Sequence, residues 1–108
     1  MDWKYLRRIL SDWPEDAQEA FIAFLKKHEE VISYAVPAEC MSVNLILNPD
    51  AKVSELKGFL DALRAYDPTI PPVEPHIEYH PSLGLWVSVS LIRRDLDEWR
   101  RIKAEVGV

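Results

Sequence analysis

Residues 74–91 read EPHIEYHPSLGLWVSVSL, and this stretch decides the fold class. From Glu74 to His80 the side chains alternate strictly. Glu74, His76, Glu78 and His80 fall on one side, and Pro75, Ile77 and Tyr79 on the other, which is the period of a strand. Pro75 lacks a backbone donor and so places this strand at a sheet edge, or places its start there. Pro81-Ser82-Leu83-Gly84 carries turn residues. A second alternating run follows, with Leu85, Val87, Val89 and Leu91 facing inward and Trp86, Ser88 and Ser90 outward. Together they predict a β-hairpin.

Working toward the N-terminus, four prolines in eight residues (Pro68, Pro71, Pro72 and Pro75) predict an extended connector too short to separate two domains. Before it, Leu56, Phe59, Leu60 and Leu63 mark an amphipathic helix entered at Asp50 or Ser54 and ending near Tyr66 or Asp67. Gly58 lowers its helix propensity by about 1 kcal/mol relative to alanine. An earlier hairpin is predicted from Val31 to Leu47. In its first strand Ile32, Tyr34 and Val36 alternate with Val31, Ser33 and Ala35. In its second, Met41, Val43, Leu45 and Leu47 face inward, with Cys40, Ser42 and Asn44 opposite. Ile46 is the apolar exception on the polar side. A helix with Ala17, Ala20, Phe21, Phe24, Leu25 and His28 inward precedes it and is expected to run to about Glu30, with Asp12 and Glu15 three apart at its start. The first helix carries Trp3, Leu6, Ile9, Leu10 and Trp13 on one stripe, capped by Asp2. A last helix begins at Asp95 and repeats Leu96, Trp99, Ile102 and Val106. The expectation is a single α+β domain over residues 1–108: about four mainly antiparallel strands in two hairpins, layered with three to four helices in the order ααββαββα.

The chain has 108 residues, 13 Lys plus Arg and 18 Asp plus Glu, and a formal charge of −5. That balance argues against a wholly electrostatic nucleic-acid binder. One cysteine forms no internal disulfide and no cysteine-based zinc site, so a reducing, cytoplasmic setting is expected. No apolar run is long enough to span a membrane, and the first residues do not resemble a secretory signal. Catalytic motifs are missing. Cys40 has no glycine-rich or helix-N-terminal context to activate it, Ser82, Ser88 and Ser90 lie in no nucleophile elbow, and three glycines cannot build a phosphate-cradling loop. His28, on the apolar side of its helix, reads as a packed residue and not as a general base. A non-enzymatic role without a cofactor is therefore expected.

Three constellations remain. His76, Glu78 and His80 share one strand face and are the candidate metal ligands, although neighbours on one face stand far apart for a single ion. Arg7, Arg8, Arg100 and Arg101, interleaved with Trp3 or Trp99, are the candidate nucleic-acid contacts, although Asp95, Asp97, Glu98 and Glu105 among the C-terminal arginines suggest helix ion pairs. Trp86 points away from Leu85, Val87 and Val89 and needs cover. The first helix is the expected cover. Failing that, Trp86 with Ile46 forms an exposed apolar patch of the kind that marks an interface, with Glu74 and Glu78 steering a basic partner. The leading expectation is a small acidic protein of inhibitor, immunity-type or accessory character. It would bind another protein, or form a homodimer through its sheet edge or its Trp86 face. Nucleic-acid binding is the alternative, and a metal-binding protein or enzyme at the histidines a further one.

Overall fold

The computed structural model describes residues 1–65 and 67–107. Four α-helices and four strands follow one another as α1 (Trp3–Ile9), α2 (Glu15–Lys26), β1 (Ile32–Pro37), β2 (Ser42–Leu47), α3 (Val53–Arg64), β3 (Val73–His80), β4 (Gly84–Leu91) and α4 (Leu96–Glu105). This is the expected α+β order. The strands form one antiparallel sheet in the order β1-β2-β4-β3, so each hairpin contributes one central and one edge strand.

Period-two patterning decides which face of the sheet is buried. Val43 and Leu45 on β2 and Val87 and Val89 on β4 are fully buried, opposite one another in the ladder. All four helices close over that face. Leu6 of α1, Phe21 and Leu25 of α2, Phe59 and Leu63 of α3, and Leu96 and Trp99 of α4 join those strand residues in one continuous core. Aromatic rings pack through it, with Trp13 and Phe21 tilted against each other at 5.0 Å and Phe24 and Phe59 stacked at 5.9 Å. The fold is thus two layers, with helices on one side only.

Several boundaries differ from the expectation, each for a local reason. α2 stops at Lys26, and a 3₁₀ turn over Glu29–Val31 leads into β1. Its N-cap is Pro14, with no side-chain cap, so Asp12 does not close a capping box. The simple alternation of β1 fails because the register shifts between Ile32 and Tyr34. That bulge accommodates an extra residue and lets Ile32 and Ala35 both point inward. Cys40 and Met41 are not strand residues: they form the hairpin turn with positive φ, 57° and 59°. α3 starts after Lys52, whose N–H donates to the Glu55 carboxylate (3.4 Å), so neither Asp50 nor Ser54 is the cap. Its expected end at Tyr66 lies outside the described residues, and the last helical residue is Arg64. Asp95 likewise gives α4 no side-chain cap.

Two long-range polar contacts fix α4. Arg100 grips Asp16 at the start of α2 through Nε–Oδ2 (2.7 Å) and Nη2–Oδ1 (3.1 Å). Trp99 Nε1 donates to the Pro68 carbonyl (2.9 Å), anchoring the proline-rich connector.

Candidate functional site: the open face of the sheet

Because every helix packs on the inner face, no second layer covers the outer face of the sheet among the described residues. The first helix does not cover Trp86. Its buried Leu6 and Leu10 join the opposite side of the sheet, which corrects the expectation from sequence. Ladder register then brings side chains from all four strands into rows. Tyr34, Ile46, Trp86 and Glu78 form one row, and Val36, Asn44, Ser88 and His76 the next. Ser42, Ser90 and Glu74 begin a third, and a 2.7 Å hydrogen bond between the Ser42 and Ser90 hydroxyls confirms their shared face.

Within the first row Ile46 is walled in. It is only 3% exposed, yet it lies outside the continuous core, sealed by its neighbours Tyr34 and Trp86 in place of a helix. Tyr34 is 44% exposed. Trp86 is half-buried, with its indole N–H donating to Glu78 Oε2 (3.0 Å) and its ring 5.9 Å from that of His80. Of the two apolar residues expected at an interface, Trp86 presents surface and Ile46 is buried beneath it, while Tyr34, not among the expected residues, presents surface beside them. Tyr34 is not legible as an outward residue, because the bulge that turns it outward is invisible in the alternation.

The charge on this face has one sign. Glu74 and Glu78 are its only carboxylates, and no lysine or arginine stands on any outward position of the four strands. At the usual strand spacing of about 4.8 Å and a rise of about 3.3 Å, six residues across four strands span about 400 Å².

His76, Glu78 and His80 do share this face, as their spacing predicts, but only His76 and Glu78 are hydrogen-bonded to each other, while His80 bonds elsewhere. His76 Nε2 and Glu78 Oε1 lie 2.9 Å apart, the other Glu78 oxygen holds Trp86, and His80 Nδ1 accepts from the Ser82 N–H (3.1 Å). Among the described residues, no three His, Cys, Asp or Glu side chains are grouped to hold a metal ion.

The candidate nucleic-acid arginines separate into two sets. Arg100 is taken by Asp16 and Asp97, and Arg101 by Glu98 and Glu105. Arg7 and Arg8 instead line a shallow groove with Trp3, Lys4, Ile22 and Lys26, where the Lys26 ammonium lies 5.6 Å from the Trp3 ring centre. His28 sits just beyond α2, its ring 4.8 Å from Phe24 and 5.3 Å from Phe59, and burial pushes its pKa down. Cys40 is exposed in its turn. No helix among the described residues is long and apolar enough to cross a membrane.

In comparison with known proteins, the chain matches no family model, no curated protein and no solved structure.

Proposed function

We propose that this chain is a protein-binding module that acts through the open face of its sheet. The observation that carries this reading is the row Tyr34–Ile46–Trp86–Glu78, in which two partly exposed aromatic rings stand beside a carboxylate with no helix over them. Aromatic side chains on a rigid platform serve as interface anchors because they bury large area at small conformational cost. A face carrying only negative charge selects a partner that presents lysine or arginine beside apolar surface, and the overall charge of −5 speeds such an encounter. An inhibitor, immunity-type or accessory factor works in this way, by contact alone. One face of about 400 Å² is half the roughly 800 Å² per partner of a standard interface, so a single copy binds weakly and transiently.

A photo-crosslinking residue at Ser88, in the middle of the face, tests the reading against the same residue at Glu29 on the helical side. The expected result is an adduct with a basic protein, formed from Ser88 only, diminished by salt and lost on Trp86→Ala with Tyr34→Ala. Absence of any adduct specific to Ser88, or one indifferent to both substitutions, overturns it.

A second reading rests on the groove at α1. Lys4, Arg7, Arg8 and Lys26 gather around Trp3 with no carboxylate in the lining, which suits a phosphate backbone with a stacked base. Single-stranded oligonucleotide binding that falls steeply with salt and is lost on Arg7→Ala with Arg8→Ala is its signature. Salt-independent binding, or none, removes it.

A further inference from the structure

We propose that the free edge of β3 is a self-association site, at which two copies of the chain pair antiparallel about Ile77 to make one eight-stranded sheet. The argument begins with the backbone. Ile92 N–H donates to the Pro72 carbonyl (2.8 Å), one step beyond the Val73–Leu91 pair of the β3–β4 ladder. Hydrogen-bonded positions alternate in an antiparallel ladder. Even-numbered residues of β3 therefore bond to β4, and Val73, Pro75, Ile77 and Tyr79 turn their main-chain groups to the free edge. Among the described residues nothing bonds to them. Pro75 stands at one of these outward positions, where its missing N–H costs the sheet nothing.

The two sheet edges differ. Both edges carry a proline, but β1 is also short and broken by its bulge, devices that blunt an edge further. β3 runs unbroken for eight residues, with its last three side chains exposed and Tyr79 at 73%.

The side chains supply the occupant. A twofold axis that pairs two antiparallel edges stands perpendicular to the sheet, so it keeps each face on its own side and centres on a residue. Centred on Ile77, it sets Glu74 against the second copy's His80 and His76 against the second copy's Glu78, with the reciprocal pairs alongside. Every carboxylate of the outer face meets an imidazole. Centres at His76 or Glu78 oppose like with like, and centres at Pro75 or Tyr79 leave only the reciprocal Glu–His pair next to the axis. The Ile77 register alone is fully self-complementary. These contacts also fall at non-hydrogen-bonded pairs of the new ladder, where Cα atoms approach to about 4.5 Å and side chains are closest. An imidazole N–H donates to a carboxylate in either charge state of the ring. Ile77 N–H and C=O exchange bonds with their own copies across the axis, and Tyr79 N–H reaches the second copy's Pro75 carbonyl. Only the two symmetry-related bonds that the Pro75 residues cannot donate are lost.

Such a dimer joins two open faces on the same side into about 800 Å², the standard area for one partner. This last consequence rests on the proposed function; the edge pairing does not.

Analytical ultracentrifugation of the whole chain over a concentration series tests the pairing. A reversible monomer–dimer equilibrium is expected. Tyr79→Pro removes an outward N–H at a position equivalent to one where the strand already holds proline, and is expected to weaken the dimer by about tenfold or more with circular dichroism unchanged. Glu78→His alone, which opposes two imidazoles, weakens it similarly; adding His76→Glu exchanges the two residues, restores opposite partners and recovers dimerisation. Trp86→Ala with Tyr34→Ala, both away from the β3 edge, leaves the dimer intact while abolishing partner capture at Ser88, so the two proposals fail separately. A chain monomeric at every concentration overturns the proposal. So does a dimer indifferent to Tyr79→Pro, or an exchange that does not restore what Glu78→His alone removes.

Discussion

Leu45 and Ile46 are neighbours on β2, 0% and 3% exposed, and by exposure alone their truncation to alanine costs the same. The two-layer architecture says otherwise. Each substitution removes three carbons, worth about 2.4 kcal/mol at about 0.8 kcal/mol per buried methylene. Leu45 lies opposite Ala35 and Val87 beneath the helices, in a core closed on all sides. Its removal leaves a cavity that the surroundings fill only in part, raising the loss to about 4 kcal/mol. Ile46 is sealed by Tyr34 and Trp86, whose rings border water and can lean into the space. Little cavity term survives, and the loss is about 2 kcal/mol plus at most about 1 kcal/mol of strand preference for a β-branched residue. For a chain of 108 residues, with an unfolding entropy of about 2.1 cal/mol/K per residue, each kcal/mol lowers Tm by about 4 °C. Leu45→Ala is therefore expected to melt about 17 °C lower than the parent, and Ile46→Ala about 9 to 13 °C lower. Urea titrations followed by far-ultraviolet circular dichroism, with thermal melts of the same samples, measure both. Equal losses, or a larger one at Ile46, would mean that the outer face is packed as tightly as the core. The open-face reading of the function would go with it.

Three further outcomes follow from local chemistry. Burial against Phe24 and Phe59 lowers the pKa of His28 below its ordinary 6.5, with Glu30 opposing and Lys27 assisting. The unfolded chain therefore binds the extra proton first. Stability should be level above about pH 6.5 and fall as pH drops from there toward the folded value, and in urea titrations across that window His28→Phe should flatten the slope relative to the parent. The Arg100 hydrogen bond holds Asp16 below its usual 3.8 against the opposing effect of burial, with Ala17 N–H assisting. Its contribution is thus present above about pH 3.8 and lost as pH falls through the folded value; Asp16→Asn should cost under about 1 kcal/mol at neutral pH, since the pair is partly solvated, and nearly nothing in strong acid. Cys40 is exposed and holds φ at 57°, so Cys40→Gly relieves about 1–2 kcal/mol of left-handed strain against up to about 1 kcal/mol of added chain entropy. A rise in the urea midpoint of the monomer is the expected result, and a fall would contradict the turn geometry.

Much of this architecture is written along the chain. Period-two runs at 43–47, 74–80 and 85–91 name the strands and their faces, and three- and four-residue apolar spacing names the helices, because local periodicity requires nothing but the chain's own geometry. The same periodicity placed Glu74, His76, Glu78 and His80 on one side of β3 and Trp86 opposite the core residues of β4. What it could not convey is which strands meet. The order β1-β2-β4-β3 brings Tyr34, Ile46, Trp86 and Glu78 into line across 53 positions of sequence span.

 Pairing of that kind is settled by long-range contacts between segments, which no single segment encodes. The bulge that turns Tyr34 outward, the placement of α1 on the helical side and the capture of Arg100 by Asp16 are decided in the same way, since each depends on where a distant element comes to rest. The sequence by itself determined the order of the elements and, away from the β1 bulge and the Cys40–Met41 turn, which way their side chains point. Tertiary structure alone decided that one face of the sheet stays open and that the β3 edge stays free, because burial is a property of what packs against a surface and not of the surface itself.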